Sequence, residues 1–136
     1  MFKQYFPIFK KQEGLIYLDS AATTLKPAVL LQSLEGYYEN YTANVHRGLY
    51  PNAEKVTEEF DQARTVVANL INANSNEIVF THNATDALNT IALSLDSQQL
   101  QGRKVLISES EHHSNFVVWQ EFAKRNKLEL CIIEYG

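Results

Sequence analysis

The stretch KVLISESEHHSNFVVWQEFAKRNKLELCII, residues 104–133, decides the fold of this chain. It begins with a short apolar run at 104–107, directly after Gly102-Arg103, and it ends with a second apolar run at 128–133. Both runs have the length and the residue types of β-strands. The residues between them, 114–126, predict a helix. The stretch is therefore expected to form a strand, a helix and a second strand.

The same order precedes this stretch. Residues 77–81, EIVFT, predict a strand, and residues 84–95 predict a helix because their apolar side chains recur at helical spacing. Strands that alternate with helices indicate an α/β fold with a mostly parallel sheet and helices packed on it. The sheet is expected to include residues 78–81, 105–108 and 130–133.

A short strand and two helices are predicted nearer the N-terminus. Residues 15–18 predict the strand, and Pro27 is well placed for the first turn of a helix whose apolar side chains are Leu30, Leu34, Tyr37 and Tyr41. Residues 41–52 carry no period and predict a loop. A longer helix is predicted over 53–71, and its buried side chains should be Val56, Phe60, Ala63, Val67 and Leu70.

The composition argues against several classes of protein. The 136 residues carry a formal net charge of -4, which gives no electrostatic case for binding nucleic acid. No apolar run approaches the roughly 20 residues of a membrane span, and the N-terminus lacks the apolar core of a secretory signal. The single cysteine, Cys131, excludes an internal disulfide and a cysteine-based zinc cluster, so no metal site is expected. These features fit a reducing, cytoplasmic location, with Cys131 as an inert thiol in the core.

Two loops at the carboxyl ends of predicted strands carry the residues of chemical interest. In open parallel sheets, ligands bind at this edge. The first loop opens the helix at 84–95, where free backbone N–H groups attract anions, and the Thr85 hydroxyl could add a hydrogen bond to a phosphate. The alternative is structural, because Asn83 and Asp86 have the spacing of a capping box, which needs no ligand.

The second loop contains adjacent histidines, His112 and His113. Neighbouring histidines on an extended loop rarely bind one metal, but one of them could stack on an aromatic ligand or act as an acid or base. The alternative is that both only cap the following helix. A third segment, His46-Arg47, could bind a carboxylate or a phosphate through the planar donors of the arginine, or it could be a solvated loop pair.

Four blocks of this sequence, in order, resemble those of a known family. They are LDSAA at 18–22, VHRG at 45–48, NATDALN at 83–89, and EHHSN at 111–115 followed by Trp119-Gln120. The chain is similar to the class-V aminotransferase-like enzymes of fold type I, which use pyridoxal 5'-phosphate. The branch that it resembles most is that of the cysteine desulfurases and selenocysteine lyases.

The resemblance implies roles for residues of these blocks. Ala84 and Thr85 would hold the cofactor phosphate, and His112 would stack on the pyridine ring and act in catalysis by moving protons. Asn83 stands where the family usually has glycine, and since asparagine tolerates a left-handed backbone, the turn is expected to be kept. The residues implied in the substrate pocket, partly at a dimer interface, are Ala21, Ala22, His46 and Arg47.

For the whole protein, the resemblance implies a transferase that mobilises sulfur from L-cysteine, or selenium from selenocysteine, with release of alanine. A sulfur-acceptor protein, a role in iron–sulfur cluster assembly and a homodimer are implied with it. Residues 1–50 would be an N-terminal segment with a helix and an active-site loop, and residues 51–136 the first part of the cofactor-binding large domain.

The family's cofactor lysine, its reactive cysteine, the aspartate that pairs with the pyridine nitrogen and the arginine for the substrate carboxylate all lie in later blocks. None of them has a matching position here. The chain is therefore expected to be a fragment or a truncated coding sequence that is inactive alone. The alternatives are another class-V enzyme, such as a kynureninase-like hydrolase or an epimerase, and an inactive remnant.

Overall fold

A computed structural model describes residues 2–95, 100 and 102–134 of the chain. Its internal contacts divide it into two compact units, one up to residue 78 and one from residue 79 onward. Each unit is described by itself. The boundary expected from the sequence, after residue 50, stays a prediction. No helix in the described part of the chain is long and apolar enough to cross a membrane.

The first unit is helical. Its elements are a 3-10 helix Phe2–Tyr5, the helices α1 (Ile8–Lys11), α2 (Ala28–Asn40) and α3 (Pro51–Leu70), and a 3-10 helix Ser75–Glu77. Both long helices were predicted, although Pro27 precedes α2 as its N-cap residue instead of lying in its first turn. The strand predicted at 15–18 is wrong. Ile16 and Leu18 are exposed, and no described strand lies beside them to supply a hydrogen-bonding ladder.

Only parts of α3 are covered within its unit. The helix begins at Pro51, where the missing N–H of proline costs nothing, and it buries Ala53, Val56 and Ala68. Of the predicted buried side chains, Val56 is correct. Phe60 and Val67 are half-buried, and Ala63 and Leu70 are exposed, so this part of the prediction is wrong. The contacts made by α3 within its unit include the Gly48 loop near Ala53 and the segment after Ala68, and they leave the other side of its middle turns open.

The second unit is a strand–helix–strand motif preceded by one helix. The elements are α4 (Ala84–Ser94), β1 (Lys104–Ser108), α5 (His113–Asn126) and β2 (Glu129–Ile133). The two strands are parallel, with Lys104 opposite Glu129 and Ser108 opposite Ile133. After the last residue of α5, Asn126, the capping residue Lys127 adopts a left-handed backbone with φ of 55°. This turn leads into β2.

The core of the second unit lies between α4, α5 and one face of the sheet. Ala92, Val118 and Phe122 are buried together. Partly buried side chains pack against them from α4, α5, the strands and the adjoining turns, namely Leu88, Leu100, Val105, Trp119 and Leu128. Every element of this unit had been predicted, because each of them carries its own apolar pattern.

The strand predicted at 77–81 is wrong. Residues 75–77 form a 3-10 helix, and the residues that follow belong to no sheet, with Val79 and Phe80 exposed. An extended segment becomes a strand only when a neighbour accepts and donates its backbone hydrogen bonds. In the described residues β1 and β2 pair with each other, and neither pairs with this segment.

Cys131 is half-exposed, so the prediction that it lies in the core is wrong. Register explains the difference. Cys131 lies opposite Leu106 on the face of the sheet away from Ile107, which is buried. No described element of the second unit covers that other face, and Leu106 is 64% exposed. The pKa of the Cys131 thiol is nevertheless raised, by partial loss of water contact and then by the Glu129 carboxylate, as expected for an inert thiol.

Candidate functional site

The loop before α4 is held by hydrogen bonds among its own side chains. The Asp86 backbone N–H donates to Asn83 Oδ1 at 2.9 Å, so Asn83 caps the helix. The Asp86 carboxylate in turn accepts from the His82 backbone N–H at 3.1 Å, and His82 Nδ1 lies 3.3 Å from the same oxygen. These bonds, the backbone one first, lower the pKa of Asp86. The carboxylate is therefore ionised and tied to the backbone that precedes the helix.

The backbone at Asn83 is extended. Its φ is -167°, a value that any residue adopts, so the expectation of a left-handed turn at this position is wrong. A glycine would not be required here for its conformational freedom. The asparagine contributes its side chain instead, as the cap of α4.

Thr85 follows the cap in the first turn of α4. Its carbonyl accepts a hydrogen bond from Asn89 Nδ2 at 2.8 Å, but its hydroxyl bonds to no described residue. The first N–H groups of a helix have no partner within the helix, and Ala84 and Thr85 supply two of them. The capping alternative is thus realised by Asn83, and it leaves the Thr85 hydroxyl and these amides available to an anion.

His112 is the N-cap residue of α5. Its Nδ1 accepts from the Ser114 backbone N–H at 3.2 Å and lies 2.7 Å from Ser114 Oγ. Asn115, three residues after His112, is held by two side-chain hydrogen bonds. Its side-chain Nδ2 donates to Glu111 Oε2 at 2.7 Å, and its side-chain Oδ1 accepts from Trp119 Nε1 at 2.8 Å. Side-chain hydrogen bonds of His112 and of Asn115 therefore hold the first turn of α5.

Thr85 and His112 line the same cavity. It has a volume of about 460 Å³ and follows the groove between α4 and α5. Polar groups come from the starts of both helices, and the later turns supply mostly apolar walls together with the charged residues Glu121 and Arg125 of α5. The lining residues include Thr85, Asn89, His112, His113, Ser114, Val117, Val118 and Phe122. Ala84 is not among them. The volume is in the range of small-molecule sites.

A larger groove lies along β1 and does not contain these residues. Its volume is about 630 Å³, and its lining includes Leu106, Trp119 and Leu128 together with the side chain of Glu111. It contains neither Thr85 nor His112, but Glu111, Asn115 and Trp119, whose hydrogen bonds are described above, line it. Within the described residues no group of three or more His, Cys, Asp or Glu side chains could hold a metal ion.

His46 belongs to the first unit, where α3 holds it in a strained backbone. Its φ is 58°, a value uncommon for residues other than glycine. Its backbone N–H donates to Thr57 Oγ1 at 3.0 Å, its ring meets Phe60 edge-on at 6.0 Å, and its Nε2 lies 3.9 Å from Asp61 Oδ1. Strain of this kind persists only where the surroundings hold it.

The other implied substrate residues also lie in the first unit. Arg47 follows His46, and Ala21 and Ala22 are exposed in a turn where the Ala22 N–H donates to the Asp19 carbonyl at 3.2 Å. The roles of these residues, and those of Ala84, Thr85 and His112, stay predictions. Sequence reasoning missed Ser114 and Thr57. The only indication of the contact between Ser114 and His112 in the sequence is a serine two residues after a histidine at a predicted helix start.

The sequence matches the family described as aminotransferase class-V over residues 16–136. A probable cysteine desulfurase of Pyrococcus abyssi is 41% identical over 122 residues, which cover 90% of this chain and 30% of that protein. The solved apo structure of a cysteine desulfurase from Thermococcus onnurineus NA1 is 32% identical, with a TM-score of 0.82 over 98% of this chain and 32% of that one.

A second solved cysteine desulfurase, from Escherichia coli in an S-sulfonic acid form, is also 32% identical, with a TM-score of 0.80 over 99% of this chain and 34% of that one. The chain thus spans about a third of the length of the relatives that it matches. The α/β architecture of fold type I expected from the sequence is confirmed by these likenesses.

Proposed function

The chain belongs to the class-V aminotransferase family, and we propose that it forms the phosphate- and ring-binding part of a pyridoxal-phosphate-dependent cysteine desulfurase. The observation that carries the proposal is the shared cavity of Thr85 and His112, in a chain similar over nearly its whole length to cysteine desulfurases. The whole protein would move sulfur from L-cysteine to an enzyme cysteine and release alanine.

The residues present fit the phosphate of the cofactor. Its negative charge requires donors and a positive potential, and the start of α4 offers both. The donors are the free Thr85 hydroxyl and the first amides of the helix, including that of Ala84. The nearby carboxylate of Asp86 is compensated by the His82 N–H and ring, which reduces its repulsion of an incoming phosphate.

His112 fits the ring of the cofactor. Its flat imidazole is exposed, lines the cavity that Thr85 also lines, and is held in one orientation by Ser114. The bound cofactor would supply an electron sink for bonds at the substrate α-carbon. The protein's own contribution here is to anchor the phosphate, to orient the ring and to offer an imidazole nitrogen beside it.

We also propose substrate-binding roles for four residues of the first unit, on the resemblance to the family. His46 and Arg47 would contact the substrate carboxylate or the site of a partner subunit in a homodimer, and Ala21 and Ala22 would line the substrate pocket. The strained backbone of His46 supports this assignment, because such strain concentrates at functional sites. In this proposal residues 1–50 are the N-terminal segment, and residues 51–136 begin the large domain.

We also place the whole protein in the cytoplasm, with a sulfur-acceptor protein as its partner and iron–sulfur cluster assembly as its pathway. The lone cysteine of this chain allows no disulfide within these 136 residues, as expected in a reducing compartment. The acceptor and the pathway rest on the resemblance to cysteine desulfurases alone.

The cofactor site is tested by titrating the ¹⁵N-labelled 136-residue chain with pyridoxal 5'-phosphate. Amide signals of Ala84, Thr85 and Asp86 and the ring signals of His112 should shift together. Thr85→Ala should weaken this binding about tenfold, as the loss of a hydrogen bond to a charged group implies. Thr90→Ala, on the same helix outside the cavity, is the matched control. Shifts elsewhere, with none at Thr85 or His112, would refute the site.

The reaction is tested on the protein encoded by the complete reading frame. Alanine and sulfide released from L-cysteine support the desulfurase, and selenocysteine as a second substrate measures its preference. A different product would favour another class-V enzyme, such as a kynureninase-like hydrolase or an epimerase. A frame that stops after the Gly136 codon would favour the inactive remnant.

A further inference from the structure

We propose that Ser114 is a positioning residue that keeps neutral His112 protonated on Nε2 and not on Nδ1. The inference deepens the proposed function, since it rests on His112 facing the cofactor ring. It concerns which of the two ring nitrogens can donate a hydrogen bond to whatever occupies the cavity. Ser114 itself lines the same cavity, at the start of α5.

The Ser114 backbone fixes the state of one ring nitrogen of His112. Its N–H lies 3.2 Å from His112 Nδ1, and a backbone N–H can only donate. Nδ1 must therefore present its lone pair, and a neutral imidazole with a bare Nδ1 carries its proton on Nε2. Reversing the tautomer would point two N–H groups at each other and would leave the first turn of α5 with another unsatisfied donor.

The Ser114 hydroxyl is compatible with this assignment, because a hydroxyl can donate or accept. Ser114 Oγ lies 2.7 Å from Nδ1, a short distance for such a pair, and with Nδ1 unprotonated the hydroxyl must be the donor. One residue thus supplies two donors to one ring nitrogen. The nearest carboxylate in the sequence, that of Glu111, accepts from the Asn115 amide instead.

The consequence for the site is a restriction on His112. The Nε2 nitrogen carries the proton and offers a hydrogen-bond donor. The lone pair of Nδ1 is occupied by the Ser114 donors. To accept a proton, the ring must use Nδ1, which breaks the contact with the Ser114 N–H and requires the Ser114 hydroxyl to turn from donor to acceptor. His112 would therefore donate a hydrogen bond through Nε2 and would not act as a base through that atom.

The test is a long-range ¹H–¹⁵N correlation spectrum of the labelled 136-residue chain at about pH 8, where ordinary histidines are neutral. His112 should show the Nε2–H form almost exclusively. His113, whose ring bonds to no described residue, provides the reference ratio in the same spectrum. In Ser114→Pro, which removes the backbone N–H at a first-turn position that tolerates proline, the minor Nδ1–H form of His112 should rise about fivefold, as the loss of one ordinary hydrogen bond implies.

Two further variants separate this effect from a general loss of structure. Ser114→Ala keeps the backbone N–H and should leave the wild-type ratio nearly unchanged. Ser33→Ala removes a hydroxyl that bonds within α2 at 2.9 Å and should change nothing at His112. A wild-type His112 in the Nδ1–H form, or a ratio unchanged in Ser114→Pro, would overturn the inference. A correct tautomer in a chain that does not bind the cofactor would leave Ser114's role standing and refute the proposed function.

Discussion

The Asn83 side chain, a single cap at the start of α4, sets the stability of the loop that precedes the proposed phosphate site. Asn83→Ala removes the acceptor of the Asp86 N–H and should lower the free energy of unfolding by about 1 kcal/mol. Asn83→Asp keeps an acceptor, and Asn83→Gly, the residue usual in the family, should cost only a few tenths of a kcal/mol. Urea denaturation of the three variants, followed by circular dichroism, measures the differences. Equal losses for alanine and aspartate would contradict this role of the cap.

Gly48 is required because nothing larger fits. A Cβ at this position would lie 2.6 Å from Ala53 Cβ and 2.6 Å from a Tyr50 ring carbon. Ala53 is buried in α3, so the loop that carries His46 and Arg47 would have to move away from the helix. Gly48→Ala should therefore destabilise the chain by about 1–3 kcal/mol.

Gly36 provides the control for Gly48. It lies within α2, where an added Cβ would meet only Asn40 Nδ2, at 4.0 Å. Gly36→Ala should stabilise the chain by about 0.5–1 kcal/mol, because glycine is a poor helix former. Thermal unfolding of both variants measures the two changes, and a destabilised Gly36→Ala or a neutral Gly48→Ala would contradict the structure.

For individual residues, the sequence predicted which side chains belong to the candidate site but not which hydrogen bonds they form. Thr85 and His112 were singled out by their place after predicted strands, and they line one cavity. The left-handed turn at Asn83 was wrong, because the motif alone does not give a backbone angle. The role of Ser114 depends on two distances to one ring nitrogen, which no spacing in the sequence reveals.

Among the elements, those with a local pattern could be predicted. α4, β1, α5 and β2 were correct within two residues, because each carries its own apolar pattern and the two helices also carry capping residues. Residues 77–81 have the composition of a strand but no partner among the described strands. Strand formation is decided by a neighbour and not by the segment itself, so the sequence of the segment could not settle it.

The two strands are also linked by an ion pair whose effect should depend on pH. Lys104 Nζ lies 2.7 Å from Glu129 Oε2, and its hydrogen bond lowers the pKa of Glu129 while raising its own. Because the pKa of Glu129 is lowered in the folded state, the carboxylate stabilises the fold at pH values above its unfolded pKa, near 4.5. This stabilisation is lost as the pH falls through the folded pKa. Because the pKa of Lys104 is raised, the lysine stabilises the fold at pH values below its unfolded pKa of 10.5. This stabilisation is lost as the pH rises through the folded pKa.

The unfolding temperature should therefore fall more steeply in acid for the wild type than for Glu129→Gln. The two proteins should converge below the folded pKa of Glu129, where the carboxyl is protonated in both states. Glu134→Gln, one residue beyond β2, is the control because Glu134 forms no ion pair with a described residue. Circular dichroism melts between pH 3 and pH 7 measure the difference, since these limits bracket ordinary carboxyl pKa values. Parallel curves for wild type and Glu129→Gln would contradict the pair.

For the molecule as a whole, the bare face of the sheet should promote self-association. Leu106 and Ile133 are 64% and 52% exposed on it, and among the described residues β1 and β2 pair only with each other, which leaves their outer edges open to pairing. The chain should elute in size-exclusion chromatography with light scattering as oligomers that grow with concentration. Leu106→Lys should shift it toward the monomer, whereas Leu49→Lys, at a fully exposed residue outside the sheet, should not. A wild-type monomer at all concentrations would contradict the prediction.

The last expectation concerns activity of the 136-residue chain alone. In the family the cofactor is bound through a lysine in a later block, and none of the lysines here matches that position. They are Lys3, Lys10, Lys11, Lys26, Lys55, Lys104, Lys124 and Lys127. Of these, Lys104 is held by Glu129, and none lines the cavity of Thr85 and His112. Contacts to the phosphate and ring can bind the cofactor loosely, but they cannot form the covalent link on which the chemistry depends.

After dialysis with pyridoxal 5'-phosphate, the chain should therefore retain no visible absorbance from a lysine-linked cofactor, and it should release neither sulfide nor alanine from L-cysteine. The reversible shifts at Thr85 and His112 should persist in the undialysed sample, and Thr85→Ala should weaken them. Absorbance spectra and the sulfide assay separate the two kinds of binding. A stable chromophore with turnover would place a complete site within these residues, because turnover needs both a covalent attachment point and a group to move protons.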